Sequence, residues 1–243
     1  MDSVMKSQIG ARVLIWGSSG TGKTFFGLTF PKVMVFDFDG GMLTSLHPDL
    51  PEFVDCKDYS TIIGSGAFPQ FVSDWKKALK RDDIDTLFID SLTTLADHIM
   101  RQVMKLANKA PTDTPQIQHW GSLINQIKQL FYAAIAEAGD KNLVISAHSQ
   151  MNMTSDGTLD KYVPLIAGKK LPDQVGLWFD EMYHSEVVGM QQKRVFQVAT
   201  VGCKRYDAKS RISALAGLNV FEPNDWRVIQ AKVASAHEKR KGE

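Results

Sequence analysis

The residues that most clearly indicate chemistry form the stretch GSSGTGKT, Gly17 to Thr24, directly after the apolar run ARVLIW. Glycine lets successive backbone N–H groups turn inward around an anion. In such a loop the lysine reaches the β- and γ-oxygens of a nucleotide, and the following hydroxyl reaches Mg²⁺. We predict a nucleotide phosphate site, in which Lys23 also assists catalysis, made of Gly17, Ser18, Ser19, Gly20, Thr21, Gly22, Lys23, Thr24 and Phe25.

A carboxylate that orients the metal is expected on a neighbouring strand, and Asp90 ends the apolar run TLFID. We predict that Thr24 and Asp90 bind Mg²⁺. The alternative is that Asp90 caps the helix that follows, although Ser91 can fill that role instead.

A second pair of carboxylates lies in VFDFDGG, where Asp37 and Asp39 are two residues apart and share one side of a strand. At the end of that strand, Asp39 can orient or deprotonate an attacking water, while Asp37 packs behind it. The alternative is that Asp39 only shapes the Gly40–Gly41 turn.

The fourth polar group follows another apolar strand, in the stretch ISAHSQ. His148 and Gln150 are placed there to detect the γ-phosphate and to pass its state to the residues that follow, and we include both among the candidate catalytic residues. The alternative is that His148 is a structural histidine at a strand end.

An α/β fold with a mostly parallel sheet would position these groups, because ligand sites lie at the carboxyl ends of such strands. The chain alternates short apolar runs with amphipathic segments, and a later strand pair predicts an antiparallel C-terminal extension. The predicted strands cover 11–17, 32–39, 85–91 and 142–148, the helices 71–81, 95–108 and 122–139, the long loops 109–121 and 149–172, and the late strand pair 177–189 and 193–202. We predict one domain over 1–243, ending in a charged tail from about 235.

The composition excludes several classes of protein. The 243 residues are 44% hydrophobic and carry a net charge of +1, as in an ordinary globular protein, so any DNA contact must come from local basic patches. Two distant cysteines argue against a disulfide scaffold or a zinc site. Without a signal peptide or an apolar span, the expected location is the cytoplasm, of a host cell if the chain is phage-encoded, with no membrane partner.

The order of these motifs resembles that of RecA-like ATPases, most closely the phage-type branch of single-strand-annealing recombination ATPases. The resemblance covers about residues 10–220 and implies that strand 142–147 lies beside strand 11–16. Asp39 stands where the family has a glutamate that polarises water, and its side chain is shorter. The resemblance also implies a homo-oligomeric ring or filament, in which Lys209 and Arg211 in AKSR reach the γ-phosphate of a neighbouring subunit.

The resemblance implies a Mg²⁺-dependent ATPase that acts on single-stranded DNA in recombination, annealing or repair. DNA would contact the 109–121 and 149–172 segments, with a single-strand-binding protein as a further partner. The candidate DNA-binding residues are Lys161, Tyr162, Lys169 and Lys170. Two alternatives share the phosphate site: a P-loop kinase of a small molecule and a nucleotide-gated assembly subunit.

Overall fold

The computed structural model describes residues 10–110, 112–166, 171–189 and 193–242. The strands are β1 (Arg12–Gly17), β2 (Val33–Asp37), β3 (Asp55–Asp58), β4 (Thr86–Asp90), β5 (Asn142–Met153), β6 (Leu159–Pro164), β7 (Glu181–Val188), β8 (Val195–Ala199), β9 (Lys209–Ser210) and β10 (Phe221–Pro223). The α-helices are α1 (Lys23–Leu28), α2 (Ala67–Ala78), α3 (Leu92–Leu106), α4 (Ile117–Glu137), α5 (Leu171–Val175), α6 (Ser213–Ala216) and α7 (Trp226–Gly242). Short 3-10 helices cover Met42–Leu46 and Gly176–Trp178.

The sheet places β1 at its centre. The strand order is β10-β8-β7-β1-β5-β4-β2-β3. The strands from β7 to β3 run parallel, β8 pairs antiparallel with β7, and β10 pairs antiparallel with β8. This order confirms the predicted α/β fold with an antiparallel C-terminal extension. It also confirms that strand 142–147 lies beside strand 11–16, because β5 lies between β1 and β4 and pairs with β1 from Arg12↔Leu143 to Gly17↔His148.

Helices cover both faces of the sheet, so the central strands are buried on both sides. Successive side chains of a strand point to opposite faces. In β1, Leu14 and Trp16 pack into the core beneath α2, α3 and α4, and Val13 and Ile15 pack into the core beneath α1 and α7. This double burial explains why the strand sequences are continuously apolar.

The predicted loop over 149–172 is wrong for most of its length. β5 continues to Met153 and pairs antiparallel with β6, forming a hairpin whose turn contains Gly157 with φ +82°. The strands were not predicted because the sequence near the hairpin tip is polar. There the strands are held together by cross-strand hydrogen bonds rather than by an apolar face. The prediction missed one signal, the Asp-Gly pair at 156–157, which favours a tight turn.

Three further boundaries differ from the prediction. The loop over 109–121 ends early, because Gln116 and His119 form a capping box that starts α4 at Ile117. The predicted charged tail is the last part of α7. The sequence DCKD of β3 was not predicted as a strand because its charged residues suit an edge position rather than the core. In the part of the chain that the structure describes, no helix is long and apolar enough to cross a membrane.

Candidate functional site

The glycine-rich loop joins the end of β1 to α1. Gly20 and Gly22 have φ values of +76° and +90°, which L side chains rarely adopt, so the loop needs glycine at both positions. Lys23 starts α1 and is buried, and its Nζ donates to the carbonyl oxygen of Ser18 at 2.8 Å. Burial lowers the pKa of the Lys23 ammonium, while Asp90 and Asp39 favour its charged form. The Lys23 ammonium therefore lies inside the loop, where it can bind the oxygens of a phosphate.

Thr24 and Asp90 meet at the base of this loop. The Thr24 hydroxyl donates to Asp90 Oδ2 at 2.7 Å, and the Ser146 hydroxyl donates to Asp90 Oδ1. Burial raises the pKa of the Asp90 carboxyl, which is only 2% exposed. Ser91 caps α3 by accepting from the Thr94 N–H at 3.4 Å, so the capping alternative for Asp90 is not what the structure shows.

The oxygens of Thr24 and Asp90 fit a Mg²⁺ ion of the kind that accompanies nucleotide phosphates. A β-carbon at position 41 would lie 3.5 Å from Thr24 Oγ1 and 3.8 Å from Asp90 Oδ2, so Gly41 leaves the space beside both oxygens open. No group of three or more His, Cys, Asp or Glu side chains that could hold a metal occurs among the described residues. Mg²⁺ in such sites takes few protein ligands and completes its shell with water and phosphate.

Asp37 and Asp39 have different partners. Asp37 Oδ1 accepts from the backbone N–H groups of Asp39, Gly40 and Gly41 at 3.0, 2.8 and 3.3 Å, so Asp37 shapes the turn. Asp39 points to the cavity and does not serve the turn. Its Oδ1 accepts from the hydroxyls of Ser91 (3.0 Å) and Thr94, and its Oδ2 contacts His148 Nε2 at 2.9 Å.

His148 is held at the point where β5 leaves the sheet. Its backbone N–H donates to Thr93 Oγ1 at 3.0 Å, and its carbonyl oxygen accepts from the Leu165 N–H at 2.7 Å. The next residue, Ser149, contacts the Ser18 hydroxyl of the glycine-rich loop at 3.1 Å. Gln150, the other predicted sensor, lies opposite Val163 in the hairpin and is not among the cavity-lining residues.

One cavity of about 1100 Å³ is lined by Lys23, Thr24, Asp39, Asp90 and His148. Its second wall comes from β8 and from the segment before α7, which the sequence analysis did not include in the site: Arg194, Val195, Phe196, Asn224 and Asp225. The Asn224 side-chain amide donates to the Gly22 carbonyl at 2.9 Å. A β-carbon on Gly22 would lie 2.4 Å from Asn224 Nδ2, so this wall sits directly on the loop. No local sequence pattern could have revealed a contact across 202 positions.

Lys209 and Arg211 lie away from the cavity. Lys209 pairs with Met182 of β7, which in turn lies opposite Leu14, three residues before the end of β1. Lys209 lies in β9, but this strand ends at Ser210, before Arg211. There Glu181 accepts from the backbone N–H groups of Arg211 and Ile212 at 2.9 and 3.2 Å and turns the chain away. The Arg211 guanidinium is 62% exposed and contacts Asp180 Oδ1 at 2.6 Å.

Of the predicted DNA-binding residues, the structure describes Lys161 and Tyr162, whereas Lys169 and Lys170 lie outside the described residues. Lys161 Nζ contacts Asp207 Oδ2 at 2.8 Å. Tyr162 is half-buried against the core, and its N–H donates to the Arg205 carbonyl at 2.7 Å. Exposed Lys204 and Arg205 therefore lie beside β6.

A glycine-rich loop at the end of the central parallel strand, with Lys23, Thr24 and Asp90 around it, defines a P-loop ATPase. Residues 9–212 match the AAA domain family, and the chain belongs to that family. None of the curated proteins compared with the chain matches it. Among solved structures, the fold is similar to that of the KaiC-like protein PH0186 from the hyperthermophilic archaeon Pyrococcus horikoshii OT3. The identity is 10% over 79% of this chain and 78% of that one, with a TM-score of 0.45.

Proposed function

We propose that this chain binds and hydrolyses ATP with Mg²⁺ and couples hydrolysis to single-stranded DNA in recombination, annealing or repair, as a member of the phage-type single-strand-annealing branch. One observation carries the hydrolysis: Lys23, Thr24 and Asp90 line the same cavity as the Asp39–His148 pair. The Lys23 ammonium and the oxygens of Thr24 and Asp90 suit a nucleoside triphosphate with its metal ion. The Asp39–His148 pair lies where it can activate a water molecule.

The chemistry assigned to each side chain follows from its contacts. Lys23 would leave the Ser18 carbonyl and bind the β- and γ-oxygens, where a desolvated positive charge stabilises the charge that develops during transfer. Thr24 and Asp90 would hold Mg²⁺, which when bound bridges phosphate oxygens and neutralises their charge. Asp39 and His148 lie beside the loop and form a hydrogen bond to each other, and together they would orient and deprotonate the attacking water.

The arrangement of basic residues supports a nucleic-acid partner. Lys204 and Arg205 are exposed beside the β5–β6 hairpin, and Met151 and Met153 are exposed on the hairpin itself. Cations bind a DNA backbone regardless of its sequence. The hairpin begins directly after His148, so a polyanion bound there would contact the strand that carries a γ-phosphate-facing side chain. A single-strand-binding protein is the further partner we propose for this surface.

Assembly is proposed from the position of Lys209 and Arg211. Lys209 pairs with Met182, and Met182 lies opposite Leu14 of β1. Leu14 lies three residues before the end of β1, about 10 Å along the strand at roughly 3.3 Å per residue. Neither residue lines the cavity of its own chain. Both would act on ATP bound by a neighbour, in a ring or filament of identical subunits, where an arginine supplied in this way accelerates hydrolysis by about 10³–10⁵-fold.

The test is the ATPase rate with and without single-stranded DNA over a range of protein concentrations, with Lys23→Ala as the inactive reference. We expect the rate per subunit to rise with concentration and to rise again with DNA. A rate that is constant with concentration and unaffected by DNA would contradict the proposal. Phosphoryl transfer to a metabolite under those conditions would identify a small-molecule kinase instead.

A further inference from the structure

The carboxylate of Asp39 already has partners on both of its oxygens. Oδ1 accepts from the hydroxyls of Ser91 and Thr94, and Oδ2 lies 2.9 Å from His148 Nε2. Burial alone would raise the pKa of the Asp39 carboxyl, but the hydrogen bonds from His148, Thr94 and Ser91 outweigh it, and the pKa lies below its usual value. A carboxylate stabilised in this way is a poor acceptor for the proton of a water.

The contact between Asp39 and His148 fixes which ring nitrogen carries the proton. An ionised carboxylate can only accept a hydrogen bond, so Nε2 of His148 must be the donor. In the neutral imidazole, Nδ1 is then the acceptor. Among the residues that the structure describes, Nδ1 has no hydrogen-bond partner, and the His148 side chain is 29% exposed where it lines the cavity. A carboxylate that orients an imidazole by one nitrogen and leaves the other for the substrate is a recurring catalytic arrangement.

We propose that His148 Nδ1 accepts the proton of the attacking water and that Asp39 is the positioning residue for His148. This inference rests on the ATPase activity proposed above. The water oxygen forms a bond to the γ-phosphorus, the bond from the γ-phosphorus to the bridging oxygen breaks, and its electron pair remains on ADP. The water proton moves to His148 Nδ1 and is later released to phosphate or solvent. Asp39 stabilises the imidazolium that forms, as its charge and its 2.9 Å contact allow.

The two possible bases predict opposite effects when His148 is removed. If Asp39 itself takes the proton, loss of the imidazole uncovers Oδ2, and hydrolysis stays within a few-fold of wild type or rises. If His148 takes it, hydrolysis falls by about 10²–10⁴-fold, the usual contribution of a general base. His148→Gln separates orientation from basicity, because its amide can still donate to Asp39 but is too weakly basic to accept the water proton.

The experiment measures kcat, KM and the affinity for a non-hydrolysable ATP analogue in His148→Ala and His148→Gln. We expect both variants to lose kcat while binding the analogue within a few-fold of wild type, and added imidazole to restore part of kcat to His148→Ala only. The matched control is His47→Ala, which removes another imidazole from the cavity lining, where His47 Nδ1 lies 3.8 Å from Asp49. Imidazole should not restore activity to that variant.

A second readout does not depend on turnover. The ¹⁵N resonances of the His148 ring, assigned by their absence in His148→Gln, should show a protonated Nε2 and an unprotonated Nδ1 in the nucleotide-free protein. Asp39→Asn should shift that tautomer equilibrium, because an amide no longer requires a donor. Normal kcat in His148→Ala, or an Nδ1–H tautomer, would overturn the proposal while the ATPase function stood. A wild-type protein that does not hydrolyse ATP with Mg²⁺ and DNA would overturn both.

Discussion

The cavity and the segment 203–211 both contain charged residues, but the charged side chains differ in their exposure and in their contacts. At the cavity, Lys23 and Asp90 are buried. The Asp39 side chain is 21% exposed, and hydrogen bonds hold both of its oxygens. In the segment 203–211 the contacts are mainly to the backbone. Cys203 bonds to Tyr206, and Arg205 to Tyr162, through main-chain atoms. The side chains of Lys204 and Arg205 are exposed, and the Arg211 guanidinium, 62% exposed, contacts Asp180.

This difference separates two kinds of binding. A cavity with fixed buried charges is preorganised for a small ligand, because little side-chain entropy remains to be lost on binding. Exposed cations on a fixed backbone suit an anion that belongs to another molecule, whether a DNA phosphate or a nucleotide bound by a neighbour.

Lys23→Ala should abolish hydrolysis. It removes the cation held inside the loop, so kcat should fall by at least about 10²–10³-fold and nucleotide affinity should fall with it. Steady-state ATPase assays and nucleotide titration measure both quantities. Lys76→Ala, on the exposed face of α2, is the matched control and should behave as wild type. Near-normal turnover in Lys23→Ala would remove the cavity from the mechanism.

Asp90→Asn should change the metal requirement. The amide keeps the shape but not the charge beside Thr24, so the Mg²⁺ concentration for half-maximal activity should rise by about 10–100-fold. Activity is measured across a Mg²⁺ titration, with exposed Asp82→Asn as the control. An unchanged Mg²⁺ dependence would assign the metal to another carboxylate.

Mixing Lys23→Ala with Arg211→Ala should restore part of the activity. In a random equal mixture about a quarter of the interfaces join an intact loop to an intact Arg211, as a head-to-tail assembly allows. The control replaces Arg211→Ala with the double variant Lys23→Ala/Arg211→Ala, which brings no intact loop. If the two single variants co-assemble and every ratio remains inactive, Arg211 does not act between subunits.

Arg205→Ala should have the smallest effect and should weaken DNA binding only. Loss of one phosphate contact reduces the slope of log affinity against log salt by about 1, uniformly across DNA sequences. The measurement is the affinity for a single-stranded oligonucleotide at several salt concentrations, with Lys76→Ala as the surface control. A slope equal to that of wild type would place DNA on another surface.

The sequence was sufficient for those parts of the site that are local. The loop is contiguous from Gly17 to Thr24, and Asp90 and His148 each end or follow an apolar strand, so the parallel sheet brings them to one edge. The wall around Asn224 and the turn that Asp37 holds by accepting from three backbone N–H groups were beyond its reach. Both depend on which hydrogen-bond donors the folded chain brings to a side chain, and no pattern of spacing contains that information.

The contact between Asn224 and Gly22 also sets an order of events during synthesis. The ribosome makes the loop 202 residues before the amide that closes over it, a delay on the order of 10–40 s at about 5–20 residues per second. Trp226 is synthesised at the same late stage. Its ring stacks on Phe30, its backbone N–H donates to Thr29 Oγ1, and it completes the core behind α1. A nascent chain thus carries its phosphate-binding sequence long before the Asn224 wall can close over it.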